Sequence, residues 1–400
     1  MTDSRERPPV ASLPRSRREF LKLSALLTGA AAWPAVARSA GGDEPVRIGY
    51  LPITDASPLL VAHAREMFQA EGLEVAPPVL LRSWAQLVEA FMAGRVNVVH
   101  LLSPMTVWAR YGSRFPMKVV AWNHMAGSAL TVAPDITTLE GLGGRRVAVP
   151  FWYSIHNVVL QHLLRKAGLE GVTRRVRSLQ PHQVGLTVMA PADMGPALVN
   201  GSIAGFIVAE PFNAAAETQG IGKVLRFTGD VWRDHACCVV AMHAADLDAR
   251  PAWSQGVVSA IVKAQHWLRD HRGEAAQLLS NDGPGRYTPF PVEVLERVLV
   301  PDAAREARYI KRGAIRHPDW RQARIDYQPY PFPSYTRTLV QMLQDTAIEG
   351  NNRFLTSLDP DFVARDLVDD RFVRLAIAQL GGLGAFGLDE QFERSETIVI

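Results

Sequence analysis

The segment Val147-Ala-Val-Pro-Phe-Trp-Tyr-Ser-Ile-His-Asn157 predicts a short buried strand, a tight exit and the start of a helix. Ser154 stands at the N-cap position, and apolar residues follow it at helical spacing. His156 would then lie in the first turn, beside unpaired backbone N–H groups and the positive end of the helix dipole. With Trp152 and Tyr153 on the preceding loop, the segment predicts a pocket for a small anion or a polar ligand.

The order strand, helix, strand occurs twice along the chain. The first set is predicted as strand 46–51, helix 57–70, strand 73–81, helix 83–94 with Ser83 as its N-cap, and strand 96–101. The second set is predicted as strand 146–149, helix 154–167, strand 172–179, helix 192–200 and strand 203–209. A single junction in which glycine ends a helix before a strand is common and could arise by chance. Several such junctions in the same order in both sets favour two similar βαβ lobes.

Strands that alternate with helices predict an α/β fold with mainly parallel sheets and helices on both faces. Such sheets bind ligands at the carboxyl ends of their strands. Strands at 222–227 and 237–242 are expected to return the chain to the first lobe. Lobe I is predicted to comprise residues 45–133 and 232–400, and lobe II residues 134–231. The remaining predicted elements are helices 252–268, 273–279, 291–299 and 335–348, a helical tail from 361, and an aromatic loop, 327–333, over a lobe surface.

Residues 1–37 are predicted to be a twin-arginine export signal. Ser16-Arg-Arg-Glu-Phe-Leu-Lys22 precedes an apolar run, and Ala35-Val-Ala37 offers a cleavage site. Because the apolar run is short for a membrane span, we prefer export to the periplasm over a membrane anchor. Loss of this segment removes six basic and three acidic residues, which lowers the formal net charge from +3 to zero. A neutral chain gives no electrostatic reason to expect nucleic-acid binding or binding to an anionic membrane.

Candidate binding residues follow the strands or begin the helices of the predicted lobes. A serine at the start of a helix is most simply an N-cap, and Trp84 could equally be a core residue of its helix. A single cleft at the carboxyl ends of the strands, however, explains why all the candidates occur at such positions. The sequence contains no Gly-x-Ser-x-Gly, no P-loop and no His-Glu-x-x-His, so we expect a binding protein and not an enzyme. The candidates are Thr54, Asp55, Ser57, Trp84, Ser103, Ser128, Trp152, Tyr153, Ser154, His156 and Glu210.

Cys237 and Cys238 are the only cysteines, so no ordinary disulfide is expected, and a bond between neighbours would be strained. With His235 they could suggest a site for a soft metal. A structural zinc site needs four ligands, usually in separated pairs, and the sequence has no second pair of cysteines. We therefore expect two small cysteines packed in a buried strand, with no metal and no cofactor.

The chain after residue 37 resembles the periplasmic substrate-binding proteins of ABC importers for nitrate, sulfonate and bicarbonate. The resemblance implies a two-lobed clamp of type II that closes on a small molecule and presents it to a permease in the inner membrane. Its length and helical C-terminal extension are similar to the longer nitrate/bicarbonate branch. The segments that carry it are Ile48-Gly-Tyr-Leu-Pro-Ile-Thr-Asp-Ala-Ser-Pro58, Ser83-Trp84, Leu101-Leu-Ser-Pro-Met105, Ile155-His-Asn157, Glu210-Pro-Phe-Asn213 and Val231-Trp-Arg-Asp-His235.

In nitrate binders of that branch, a tryptophan, a glutamine, a histidine and a lysine surround the anion. The resemblance matches Trp84 and His156 to the first and third, whereas Ser128 stands at the glutamine position and Cys238 at the lysine position. Cys238 is therefore also a candidate. Loss of the lysine removes a full positive charge from a buried site, so a larger or less charged ligand is expected as readily as nitrate.

The sequence thus predicts an exported, monomeric solute-binding protein that captures a small oxyanion or small polar organic compound for an ABC permease. Two other interpretations stay open. One is an enzyme on the same clamp that uses His156 with Cys237 and Cys238, and the other is a ligand sensor that docks on a membrane receptor.

Overall fold

A computed structural model describes residues 44–174, 176–320 and 324–399, and two β-sheets organise this part of the chain. The predicted export signal, residues 1–37, lies outside the described residues. Within them, no helix combines the length and the apolar character that crossing a membrane requires.

The described residues form thirteen strands and sixteen α-helices. The strands are β1 (Ile48–Tyr50), β2 (Val79–Leu80), β3 (Val98–Leu102), β4 (Met117–Trp122), β5 (Met125–Ala126), β6 (Ser128–Val132), β7 (Arg146–Val149), β8 (Glu170–Val172), β9 (Gln183–Val188), β10 (Gly205–Ala209), β11 (Lys223–Phe227), β12 (Cys238–His243) and β13 (Ile325–Asp326). The helices are α1 (Ser57–Ala64), α2 (Met67–Ala70), α3 (Trp84–Met92), α4 (Ser103–Val107), α5 (Ile155–Lys166), α6 (Pro191–Val199), α7 (Phe212–Thr218), α8 (Ala244–Ala249), α9 (Pro251–Asp270), α10 (Arg272–Leu279), α11 (Val292–Leu299), α12 (Ala303–Lys311), α13 (Pro333–Gln344), α14 (Arg353–Thr356), α15 (Pro360–Asp366) and α16 (Arg371–Gln379).

The first sheet has the strand order β2-β1-β3-β12-β4. Strand β1 pairs in parallel with β2 and β3, while β12 runs antiparallel between β3 and β4. Every residue of β3 is buried, as expected of a strand covered on both faces. Because β12 runs the other way, its first residue, Cys238, lies beside Leu102 at the carboxyl end of β3.

The second sheet has the strand order β11-β6-β10-β7-β9-β8. Strand β7, which has its predicted bounds, pairs in parallel with β10 and β9, and β8 pairs in parallel with β9. Strand β6 is antiparallel to both of its neighbours. Each sheet therefore contains one reversed strand, and the prediction of two mainly parallel sheets in an α/β fold is confirmed.

The sheet membership of two strands bears on the predicted lobes. Strand β11 pairs with β6 in the second sheet, so it does not yet return the chain to the first lobe, and it lies within the bounds 134–231 predicted for lobe II. Strand β6 also lies in the second sheet, although the boundary predicted at residue 133 assigns it to lobe I. The reason is that β6 makes backbone pairs along both of its edges, with β10 on one side and β11 on the other.

Two predicted elements are shorter than expected. The helix predicted over 57–70 is interrupted at Glu66, whose positive φ of 56° separates α1 from α2. The strand predicted over 172–179 ends at Val172, and the unpredicted β9 pairs with β7 beyond it. Gly185 in the middle of β9 interrupts the apolar pattern by which sequence reasoning would recognise a strand.

Helix α3 begins with the side-chain cap that the sequence predicts. The Ser83 Oγ accepts a hydrogen bond from the Gln86 N–H at 3.3 Å, and Gly94 follows the helix with a φ of 70°. Ser83→Ala is expected to lower the free energy of unfolding by about 1 kcal/mol, because a first-turn N–H loses its partner. Urea unfolding measures this change. Ser83→Asp should retain most of the stability, since aspartate also caps, and equal losses in both variants would contradict the capping role.

The aromatic segment 327–333 lies in the interior, so the prediction that it covers a lobe surface is wrong. Tyr327, Tyr330 and Phe332 are all buried. The Gln328 side chain accepts from the Tyr330 N–H at 2.8 Å and donates to the Tyr330 carbonyl at 3.1 Å. A loop can be buried in this way because a side chain replaces the water that its backbone groups would otherwise bind.

The C-terminal half is helical, as predicted, but part of it contacts the second sheet's helices. The side chains of Arg297 and Tyr309 donate to Glu217 of α7 at 2.9 and 2.5 Å, and Arg312 also pairs with Glu217.

The segment Gly382-Leu-Gly-Ala-Phe-Gly387 has the glycine spacing of a dinucleotide-binding turn. A dinucleotide-binding turn connects a strand to the helix that follows it. This segment instead forms a 3₁₀ turn after α16, so we do not expect it to bind a dinucleotide.

Candidate functional site

Four buried side chains meet at one edge of the first sheet. Asp55 lies in the short turn after β1, His124 follows β4, and Cys237 and Cys238 lie at the start of β12. Since β12 is antiparallel to β3 and β4, its beginning lies at the carboxyl ends of those strands. These four residues, which we call the edge cluster, therefore occupy the edge that the fold uses for ligands.

The Asp55 carboxylate is at the centre of the edge cluster. Its Oδ2 lies 3.0 Å from His124 Nε2, 3.4 Å from Cys237 Sγ and 3.2 Å from Cys238 Sγ. All four side chains are fully buried, and both cysteines are free. The side-chain amide of Asn123 donates a hydrogen bond to the Asp55 backbone carbonyl, which holds the turn in place.

The second sheet brings two more polar residues to the same place. The Oγ of Ser128, the first residue of β6, lies 2.9 Å from His156 Nε2 and 3.6 Å from Cys237 Sγ. His156 Nε2 itself lies 3.9 Å from Cys237 Sγ. The two sheets therefore meet through polar side chains, and the candidates Asp55, Ser128, His156 and Cys238 come together.

Helix α5 places His156 as the sequence predicts. The Ser154 Oγ accepts a hydrogen bond from the Asn157 N–H at 3.1 Å, which makes Ser154 the N-cap. The Asn157 side chain donates to the Trp152 carbonyl at 2.9 Å and so fixes the loop before the helix. His156 is fully buried in the first turn, close to the backbone N–H groups that a helix leaves unpaired.

Burial and close pairing control the charges of the edge cluster. Burial raises the pKa of Asp55 to about 6, against the opposing effect of His124. Burial acts to lower the pKa of His124, but the Asp55 carboxylate outweighs it and raises this pKa to about 10. For Cys237, burial is outweighed by the Cys238 hydrogen bond and the His156 charge, which lower its pKa, whereas burial raises the pKa of Cys238. At neutral pH, Asp55 and His124 therefore form a buried ion pair.

Other candidates hold the backbone around the cluster. The Thr54 N–H and Oγ1 both donate to the Glu210 carbonyl at 3.0 Å, which joins the turn after β1 to the end of β10. The Ser57 Oγ donates to the Thr54 carbonyl at 2.6 Å. The Ser103 Oγ donates to the Ala236 carbonyl at 3.1 Å, directly before the cysteines.

The three aromatic candidates have different surroundings. Trp84 is buried, and its ring centroid lies 5.4 Å from that of His100. The Tyr153 ring lies 6.1 Å from that of Trp108. Trp152 is partly exposed and lines a cavity of about 480 Å³ beside β7 and β9. The aromatic walls predicted for the ligand therefore stay a prediction.

Sequence reasoning missed His124. It preferred a packing role for Cys237 and gave that residue a chemical role only in the alternative enzyme interpretation. A detectable signal existed for His124, because it follows the apolar run Val119-Val-Ala-Trp122 by two residues. Polar residues directly after a buried strand are candidates for the ligand edge of a parallel sheet. The partner of His124, Asp55, is distant in sequence and could not be assigned from spacing.

The chain is similar in sequence to nitrate import proteins and in structure to a nitrate-binding protein. The nitrate import ATP-binding protein NrtC of Synechocystis sp. is 28% identical over 260 residues, which cover 61% of this chain and 38% of NrtC. The nitrate/nitrite binding protein NrtA of Synechococcus elongatus is 24% identical over 327 residues, which cover 73% of this chain and 71% of NrtA. The crystal structure of the periplasmic nitrate-binding protein NrtA from Synechocystis PCC 6803 aligns with a TM-score of 0.71 at 18% identity and covers 88% of this chain and 93% of that one.

The chain matches 38% and 53% of the lengths of two of its curated relatives. The model of the NMT1-like family matches residues 39–280, which is more than half of the chain. These matches confirm the resemblance to nitrate-type binding proteins that the sequence motifs indicate. The protein therefore belongs to the NMT1-like family and has the fold of the periplasmic binding proteins.

Proposed function

We propose that this protein is the solute-binding component of an ABC import system and holds a small oxyanion or small polar organic compound between its two sheets. The observation that carries the proposal is the meeting of Ser128 and His156 from the second sheet with Cys237 from the first, at 3.6 and 3.9 Å. Periplasmic location after twin-arginine export, a monomeric state and delivery to an inner-membrane permease belong to the same proposal. Solute capture requires no covalent step.

The polar groups at the place where the two sheets meet are suited to a small oxyanion or a small polar compound. The imidazole of His156, the hydroxyl of Ser128 and the first-turn amides of α5 can donate hydrogen bonds to oxygen atoms of a small ligand. Cys238 occupies the position matched to the lysine of nitrate binders, so the site lacks that full charge. A sulfonate or a less charged compound therefore suits it as well as nitrate does.

Release and capture require the sheets to separate, because the polar residues at the junction are buried. We propose lobes that meet near residue 127 and near residue 228, where the chain crosses between the sheets. Such lobes would close on the solute as a hinge. The two hydrogen bonds from Thr54 to the Glu210 carbonyl would then form or tighten on closure.

A ligand panel tests the proposal directly. The purified chain is mixed with nitrate, nitrite, bicarbonate, taurine and short alkanesulfonates, and thermal unfolding and small-angle scattering are recorded for each. A true solute should raise the unfolding temperature through linkage and lower the radius of gyration through closure. Failure of a broad panel to produce either change would contradict solute capture.

His156→Gln is expected to weaken binding of the best panel compound by about 10- to 150-fold, because a hydrogen bond to a charged group contributes about 1.5 to 3 kcal/mol. Isothermal titration calorimetry measures the change. Ser154→Ala is the matched control, since it removes the cap of the same helix and should lower stability by about 1 kcal/mol. An affinity unchanged in His156→Gln, or equally reduced in both variants, would contradict a direct role for the imidazole.

A further inference from the structure

We propose that the edge cluster, formed by Asp55, His124, Cys237 and Cys238, binds one thiophilic divalent cation of the zinc type. The proposal goes beyond solute capture and does not depend on which solute is captured. It rests on the geometry of the four ligand atoms, on polar atoms that lack partners, and on the chemistry of the donor set.

The ligand atoms are close enough to surround a single ion. One atom from each residue can be chosen so that all four lie within 4.8 Å of one another. In a tetrahedral zinc site with ordinary bond lengths, neighbouring ligand atoms are about 3.3 to 3.8 Å apart. The three distances measured from Asp55 Oδ2, 3.0, 3.4 and 3.2 Å, are near that range, so small side-chain movements would complete the coordination.

Polar atoms of the cluster are buried without hydrogen bonds. Among the described residues, Asp55 Oδ1 and His124 Nδ1 have no hydrogen-bond partner although both side chains are fully buried. A buried polar atom without a partner costs free energy, and native proteins usually satisfy such atoms. A bound cation would offset this cost at Asp55 by coordinating its carboxylate.

The donor set selects the class of metal. Two sulfur atoms, one imidazole nitrogen and one carboxylate oxygen are ligands typical of Zn²⁺, whereas Mg²⁺ and Ca²⁺ prefer oxygen ligands alone. Coordination requires thiolates and a free imidazole nitrogen, so any protons on the two thiols and on the coordinating nitrogen of His124 pass to solvent as the ion enters. With two thiolates and one carboxylate around a divalent ion, the centre carries one net negative charge.

This charge makes the metal site distinct from an anion site. A centre with net negative charge does not replace the lysine of nitrate binders as an attractor of oxyanions, so of the two solute classes proposed it favours the small polar organic compound. All four ligands lie at the ends of strands of the first sheet, whereas Ser128 begins β6 of the second sheet and His156 lies on α5, which follows β7 of that sheet. Metal binding should therefore proceed without lobe closure and without His156.

The experiment begins with purified protein freed of metal by a chelator under reducing conditions. Zn²⁺ is titrated in competition with a chromophoric chelator, the bound metal is counted by elemental analysis, and Co²⁺ replaces Zn²⁺ for spectroscopy. We expect one ion per chain, thiolate-to-cobalt charge-transfer bands, and visible bands of the intensity typical of tetrahedral cobalt. Absence of bound Zn²⁺, or a cobalt spectrum without the charge-transfer bands, would overturn the proposal.

Variants assign the ligands. Zn²⁺ affinity should fall by more than roughly 100-fold in Asp55→Asn and in the Cys237→Ser, Cys238→Ser double variant, because outer-shell changes alone cost about 10- to 100-fold. His182→Gln, which changes an exposed histidine outside the cluster, should bind as the wild type does. Circular dichroism of each metal-free variant checks that it folds. If a variant does not fold, the cobalt spectrum of the wild-type protein is the test of the proposal. Wild-type affinity in the double cysteine variant would overturn it.

His156→Gln separates this proposal from solute capture. The variant should still bind one Zn²⁺ and give the tetrahedral cobalt spectrum, with an affinity lowered by no more than about 10- to 100-fold, because His156 is only an outer-shell contact of Cys237. Its affinity for the solute should fall. Loss of Zn²⁺ binding in this variant would overturn the assignment of the metal to the first sheet alone. A solute panel that fails while Zn²⁺ binds at the cluster would contradict solute capture and leave the metal site supported.

Discussion

Asp230→Ala is expected to lower the free energy of unfolding by about 3 to 5 kcal/mol, the cost of leaving a buried charge without its partner. The Asp230 Oδ2 lies 2.9 Å from Arg226 Nε, and the two side chains are 0% and 2% exposed. The carboxylate also accepts hydrogen bonds from the backbone N–H groups of Arg316 and His317, both at 2.9 Å. Burial lowers the pKa of Arg226 to about 10, against the attraction of Asp230, so the guanidinium stays charged at neutral pH.

The Asp230→Ala substitution should disturb the candidate site as well as the stability of the fold. Asp230 lies in the segment that carries the chain from β11 of the second sheet to the cysteines at the start of β12. In that segment, the Thr228 Oγ1 donates to the Ser128 carbonyl at 3.1 Å. If the loss of the Asp230 contacts loosens the segment between β11 and β12, the positions of Ser128 and Cys237 should both be disturbed.

Urea unfolding of matched variants measures the effect. Asp135→Ala is the control, because Asp135 pairs with Arg145 at 3.1 Å on the surface, where the side chains are 62% and 46% exposed. That change should cost no more than about 1 kcal/mol. The double variant Arg226→Met, Asp230→Asn should be more stable than Asp230→Ala, since no buried charge is left unpaired. Equal losses for the buried and exposed pairs would contradict this account.

Local signals predicted much of the structure around the site. The caps Ser83 and Ser154 act within three residues of chain, and both are present as predicted. The buried strand at Arg146–Val149 has the bounds that its apolar run indicates. Interactions of this kind depend on neighbours in sequence, so the pattern of residues contains the information needed to predict them.

Long-range pairings could not be predicted in the same way. Strand β6 pairs antiparallel with β10 and β11, and no local pattern distinguishes that placement from one in the first sheet. The edge cluster joins Asp55 to Cys237, which lies 182 residues further along the chain. A rule that expects metal ligands in closely spaced pairs therefore overlooks Asp55 and His124, because the sheet and not the sequence brings them beside the cysteines.

Glu210→Gln is expected to remove a pH dependence of stability. Glu210 is 5% exposed at the end of β10, and burial, opposed by the Ala214 N–H, raises the pKa of its carboxyl from 4.5 to about 8. Between these values, the folded chain keeps the proton and the unfolded chain releases it. The contribution of the neutral acid to stability is therefore fully present below about pH 4.5 and is lost as the pH rises through about 8, by up to about 1.4 kcal/mol per pH unit.

Urea unfolding at pH 5, 6.5 and 8 measures this effect. Between pH 5 and 8, the stability of Glu210→Gln relative to the wild type should rise by up to about 4 kcal/mol. Glu89→Gln, which changes an exposed glutamate on α3, should follow the wild-type curve. Parallel curves for Glu210→Gln and the wild type would show that Glu210 is ionised at neutral pH.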